Sequence, residues 1–171
     1  MFRIMTVSTG NICRSPMAEF MIRTALKDAG ITDVSIESTG ISDGEAGQPI
    51  DPRAAAILQS HGINAEDHVA RALEPEALEG LDLLLAMDLD HHAALSAMLP
   101  TDESAPRPAL RMMRSFDTVL AASAPAPADQ GIYDPWFGDS ADFRLCWQMV
   151  HAAIPGVLDY VRAHTMPQRG N

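Results

Sequence analysis

The chain has 171 residues, 47% hydrophobic and 20% charged, a balance that excludes disorder and fits one globular domain with a single substantial core. Lysine and arginine number 12 against 23 aspartates and glutamates, a formal net charge of −11. A surface this acidic repels nucleic acid and anionic membranes, so neither is expected as a partner.

The first apolar run, Phe2–Val7, reads as a short strand. After an intervening loop, Met17, Phe20, Met21 and Ala25 recur at helical spacing, with Ser15 as the expected N-cap, Pro16 at the first helical position and Gly30 beyond the end. Val34–Thr39 reads as a second strand. Asp51-Pro52 opens a second helix carrying Ala54, Ile57 and Leu58, stopped by Gly62. Leu83–Met87 is a buried strand, and a third helix is expected from near Asp88 to Pro100. Pro108–Phe116 is a candidate fourth strand interrupted by arginines, and the Pro/Ala-rich Ser123–Gln130 reads as a loop. A long helix follows from about Ser140, with Phe143, Cys146, Trp147, Val150 and Ile154 on one stripe; Pro155-Gly156 is expected to kink or split it.

Strand–helix alternation at this length predicts a single-domain α/β fold: a three-layer open sheet of about four parallel strands with helices on both faces. The expected domain spans 1–165, and 166–171 is expected as a flexible C-terminal tail. Such sheets bind ligands at the carboxyl ends of their strands, where the loop Ser8-Thr9-Gly10-Asn11-Ile12-Cys13-Arg14 leaves the first strand. Cys13 and Cys146 give neither a disulfide framework nor zinc spacing, His91-His92 lacks metal-ligand spacing and reads as a solvated helix face, and Cys146 reads as core. The run Ile4–Val7 is too short for a secretory h-region and nothing approaches membrane-spanning length, so the expected location is cytoplasmic.

The loop has the layout of an oxyanion cradle. A ring of backbone N–H groups at a helix N-terminus binds a tetrahedral anion, and Gly10 and Asn11 are residue types that tolerate the left-handed backbone such a ring needs. Arg14 reaches two phosphate oxygens with its planar fork. The same helix terminus and arginine would turn a cysteine at position 8 into an anionic nucleophile, but the residue there is serine. On Gly10, Ser15 and Pro16 alone, a βα turn with a capping serine is the alternative.

The string Val7 to Glu19 (VSTGNICRSPMAE) resembles the signature of the low-molecular-weight protein tyrosine phosphatases in every feature except the cysteine at position 8. Asp51-Pro52-Arg53-Ala54, His68 with Arg71, Asp82–Asp88 and Tyr133-Asp134-Pro135-Trp136-Phe137 extend the resemblance over most of the chain. It implies phosphomonoester hydrolysis through a cysteinyl-phosphate, with residue 8 as nucleophile, Arg14 on the equatorial oxygens and Asp134 as general acid, then base. It implies phosphate binding by Thr9, Gly10, Asn11, Ile12, Cys13 and Arg14. It also implies loop support from Asn11, Ser15, Ser38 and His68, a substrate wall of Trp136 and Phe137, and an acidic neighbour in Asp88. No metal or cofactor is implied. The substrate class is a phosphotyrosine protein or a small aryl phosphate, with inorganic phosphate or sulfate as further occupants of the loop. The opposite wall, Ser42–Gln48, carries no aromatic residue.

A serine hydroxyl binds phosphate but is not ionised by the loop, and no histidine adjoins it in the motif. Cys13 is on the wrong residue of the loop to replace it. Ser8 therefore defines a nucleophile-deficient Cys-to-Ser substrate-trapping form of a phosphatase or, alternatively, a natural inactive phosphotyrosine- or phosphate-binding relative. A third account, an arsenate-reductase-like protein, needs a further redox cysteine pair near Asp82–Asp90, where the chain has none.

Overall fold

The computed structural model describes residues 1–102 and 104–165, so the expected tail 166–171 lies outside the described residues. Four parallel strands, β1 (Phe2–Ser8), β2 (Val34–Gly40), β3 (Leu83–Ala86) and β4 (Ala109–Met112), form one sheet in the order β2-β1-β3-β4. The register sets Ser8 beside Gly40 and Val7 beside Ala86. Alternation along the strands splits the sheet into two apolar faces, with Ile4, Leu83 and Leu85 on one and Met5, Val7, Leu84 and Ala86 on the other. Helices α1 (Arg14–Asp28), α2 (Pro52–Ser60) and α5 (Ser140–Thr165) build the core on the first face. Helix α3 (Leu89–Met98) covers the second, where Leu95 packs with Leu78 and Leu81.

Between β1 and β3 the order of the sheet reverses. The chain leaving β1 crosses to one side and the chain leaving β3 to the other, so a crevice opens between the two loops at their carboxyl ends. The loop after β1 and the start of α3 border this crevice.

Several expectations about the elements are corrected. Helix α1 begins at Arg14 with Cys13 as N-cap and no side-chain cap, because Ser15 is already inside the helix and its hydroxyl serves the loop. The fourth strand ends at Met112; Met113–Phe116 turns into a short 3₁₀ helix, followed by α4 (Thr118–Ala122) capped by Asp117. The expected loop at Ser123–Gln130 ends in a 3₁₀ turn over Pro127–Gln130.

Pro155-Gly156 does not split the last helix, which runs through both residues. Gly156 has a packing reason: a Cβ there would lie 2.2 Å from the carbonyl oxygen of Phe116. The glycine lets the Met113–Phe116 turn approach the helix, a contact no periodicity analysis detects. Gly156→Ala should destabilise the fold by about 1–3 kcal/mol in denaturant unfolding, through overpacking; an unchanged midpoint would show that the turn yields freely.

Candidate active site

Asn11 takes the left-handed turn of the loop, with φ of 59°. Gly10, expected to share that role, has no positive φ; a Cβ there would lie 2.9 Å from Glu45 Cγ, so its smallness admits the Glu45 side chain. The buried Asn11 amide spends every polar atom on holding the turn. Its Nδ2 donates to Ser15 Oγ at 3.0 Å and to Ser38 Oγ at 2.8 Å, and its Oδ1 accepts the Arg71 N–H at 3.0 Å. The Asn11 carbonyl lies 2.7 Å from His68 Nε2, which donates to it. The four expected supporting residues, Asn11, Ser15, Ser38 and His68, thus meet in one buried network.

Two members of that network were not singled out as supports from sequence. Buried Glu19 accepts from Ser38 and pairs with Arg23, and Arg71 donates to the Ser38 carbonyl at 3.1 Å while pairing with Glu37. Gly40 is the third omission: a Cβ on it would sit 2.5 Å from the Thr9 carbonyl oxygen and 3.0 Å from the Asn11 nitrogen. The loop can lie against β2 only because residue 40 has no side chain.

Ser8 is buried at the head of the loop, its Oγ 2.7 Å from Ser15 Oγ and 3.4 Å from the Ser15 nitrogen, which donates to it. Cys13 is buried too, and burial, with Asp51 and Asp134 adding to it, pushes its thiol well above the ordinary cysteine range. It stays protonated and is no stand-in nucleophile. Cys146 is fully buried on the core stripe, as expected.

Arg14 is almost wholly buried and forks between two carboxylates. Nη1 donates to Asp88 Oδ2 at 2.6 Å and Nη2 to Asp134 Oδ2 at 2.7 Å. Asp88 caps α3 through the His91 N–H at 3.0 Å while also holding Arg14. Burial opposes ionisation of Asp88, but contacts from His91 and the Arg14 hydrogen bond outweigh it and hold the carboxyl below the ordinary range. His91 corrects the solvated-face expectation: it is 1% exposed, with Nε2 2.9 Å from Thr9 Oγ1. The first turn of α3 abuts the loop at the crevice, which turns that residue inward.

Asp134 begins the segment that closes the pocket. Its Oδ1 accepts the Trp136 N–H at 3.1 Å. Arg53 straps the segment to α2, donating to the carbonyls of Gly138 at 2.8 Å and Trp136 at 3.2 Å while gripping Asp51 at 2.8 Å. Trp136 is partly exposed and Phe137 almost fully so, and both line a pocket of about 330 Å³ with Ser8, Thr9, Ile12, Arg14 and Asp134. Ser42, Gly44 and Glu45 form the opposite side. Among the described residues no group of three His, Cys, Asp or Glu is placed to hold a metal, and no helix is long and apolar enough to cross a membrane.

A parallel sheet with an arginine-bearing loop at its switch point, opening onto a helix N-terminus, is the architecture of an oxyanion-binding α/β protein. Comparison with known proteins makes the class specific. The model of the low molecular weight phosphotyrosine protein phosphatases matches residues 3–166. A low molecular weight protein-tyrosine-phosphatase of Streptomyces coelicolor is 38% identical over 94% of each chain. The low molecular weight protein-tyrosine phosphatase A of Mycobacterium tuberculosis is also 38% identical, over 91% of this chain and 88% of the relative. A protein tyrosine phosphatase structure from Entamoeba histolytica, 21% identical, shares the fold with a TM-score of 0.84 over 97% of this chain and 100% of its own. The chain belongs to the low molecular weight phosphotyrosine protein phosphatase family and is by family a protein-tyrosine-phosphatase.

Two outcomes follow from the geometry. Gly40→Ala should cost the loop its anion affinity about tenfold or more while leaving the sheet folded, checked by sulfate titration beside circular dichroism. Because the folded-state carboxyl of Asp88 is depressed, its stabilisation is complete above the unfolded value of about 3.9 and is lost as pH falls further. The stability gap between the native chain and Asp88→Asn should therefore shrink as pH falls below about 4.

Proposed function

We propose that this chain is a nucleophile-deficient, Cys-to-Ser form of a protein tyrosine phosphatase, which binds a phosphotyrosine protein or small aryl phosphate and does not turn it over. The observation that carries the reading is Ser8 at the head of a loop whose other parts are in place: the left-handed Asn11, the buried Arg14 and Asp134 across the pocket. Ser8 Oγ bonds to another hydroxyl and has no histidine to deprotonate it.

In the cysteine form, the residue 8 thiolate attacks phosphorus in line with the leaving oxygen. The P–S bond forms as the P–O bond breaks, and Asp134 protonates the departing phenoxide. Loop amides of residues 9–14 and Arg14 hold the equatorial oxygens, and Asp134 then takes a proton from a water whose oxygen bonds phosphorus as the P–S bond breaks, returning the thiolate and releasing phosphate. Entry of the anion requires Arg14 Nη2 to pass from Asp134 to phosphate. Asp134 is the more accessible partner of the two, its side chain 49% exposed against 28% for Asp88.

With serine at position 8 the binding parts persist and the attacking group does not. A neutral hydroxyl also removes the thiolate that would repel a dianion, so affinity is kept or improved. Trp136 and Phe137 suit an aryl ester through stacking. Inorganic phosphate and sulfate compete for the same cradle. Residues 1–165 are taken as the working unit, acting in the cytoplasm without metal or cofactor.

Ser8→Cys is expected to raise aryl phosphate hydrolysis in the presence of chelator by about a thousandfold or more. Hydrolysis that stays at background would sink the phosphatase reading. The chain as it stands should capture a phosphotyrosine peptide on beads, and Arg14→Ala should abolish capture; retention by the arginine variant would place binding elsewhere.

A further inference from the structure

Thr9 and His91 form a contact that the phosphatase chemistry above does not use. Thr9 is exposed and lines the pocket, whereas His91 is buried beneath it. Thr9 Oγ1 lies 2.9 Å from His91 Nε2 and 3.5 Å from Arg14 Nη2, so it sits at the edge of the arginine fork. On the far side of the ring, His91 Nδ1 is 2.8 Å from Asp88 Oδ1, a close charge contact that lies off the line of a hydrogen bond.

The chemistry of these atoms fixes the proton positions. An ionised carboxylate oxygen only accepts, so Nδ1 carries a hydrogen toward Asp88, the tautomer being assigned from the contact. In the neutral ring Nε2 is then an acceptor, and Thr9 must donate its single O–H to it. The lone pairs of Oγ1 are left facing the pocket and Arg14. When the ring takes a second proton, Nε2 becomes a donor, Oγ1 accepts from it, and the Thr9 O–H is released to point into the pocket. One wall of the anion site thus presents either lone pairs or a donor, according to the charge on a buried imidazole.

We propose that Thr9 is a ligand-contacting residue of the phosphate pocket and His91 its positioning residue, the pair giving a hydrogen bond to a bound oxyanion only when His91 is protonated. The proposal rests on the reading of the loop as an oxyanion site. The charged groups around the ring are Asp88 at Nδ1, Arg14 held by Asp88, and Asp134 on the other arm of Arg14, with Asp90 and His92 beside it on α3. Only the Nε2 contact leads to the pocket wall, which separates its effect from that of the carboxylates.

Sulfate is the suitable probe, because it remains a dianion where phosphate itself titrates. Its dissociation constant is measured calorimetrically from about pH 5 to pH 8. In the native chain affinity should rise about tenfold toward low pH, the scale of one hydrogen bond to a charged acceptor. Thr9→Val should bind weakly with a flattened pH profile, and Thr9→Ser should restore the native profile. A Thr9→Val profile parallel to the native one, or a Thr9→Ser profile as flat as that of valine, would overturn the proposal. Sulfate binding indifferent to Arg14→Ala would overturn the oxyanion reading itself, a result separable from the first because it appears at every pH.

Discussion

The site depends on a single strained residue. Asn11 stands in the left-handed region at a cost of about 1–3 kcal/mol, and the loop keeps its curvature only while that conformation is held. The Asn11 side chain holds it by joining α1 through Ser15, β2 through Ser38, and the segment before β3 through the Arg71 N–H. Glu19 closes the circuit by accepting from Ser38 inside the first turns of α1. A buried network of this kind is rigid when every member is satisfied and costly when one is missing. It preorganises an anion cradle that would otherwise have to be ordered by the ligand.

Sheet order supplies the rest. The reversal between β1 and β3 brings the Ser8–Arg14 loop against the start of α3, where Asp88 meets Arg14 and His91 meets Thr9. Arg53 anchors the Asp134 segment from the other side, its guanidinium lying 4.6 Å from the Phe143 ring centroid while it binds the carbonyls of Trp136 and Gly138. In a chain of net charge −11, the cationic fork of Arg14 is shared between two acids, one well enclosed and one half exposed. Of the two acids, Asp134 is the one that faces the pocket.

The first three strands, α1 and α2 were legible because local rules decide them: apolar runs, Pro at a first turn, Gly at a helix end; the loop was legible through its resemblance to a family signature. What the sequence hid depends on contacts between distant segments. Gly40 is a strand-end glycine like any other until the loop backbone is laid 2.5 Å from the place of its missing Cβ. His91 lies in a polar-looking stretch and is buried only because the switch point presses α3 on the loop. Ser15 satisfies every local rule for an N-cap, yet the helix starts two residues earlier than that cap would set it, and its hydroxyl is spent on Ser8 and Asn11. Pro155-Gly156 carries a breaking signal that the packing of α5 on the Met113–Phe116 turn overrides.

The central claim is that an oxygen in place of sulfur leaves binding intact and removes cleavage. Phosphorus NMR of the unaltered chain mixed with equimolar phosphotyrosine tests both halves at once. The account predicts a shifted, broadened monoester resonance that persists for hours without an inorganic phosphate signal. Steady growth of inorganic phosphate, or a monoester resonance unmoved by the protein, would contradict it.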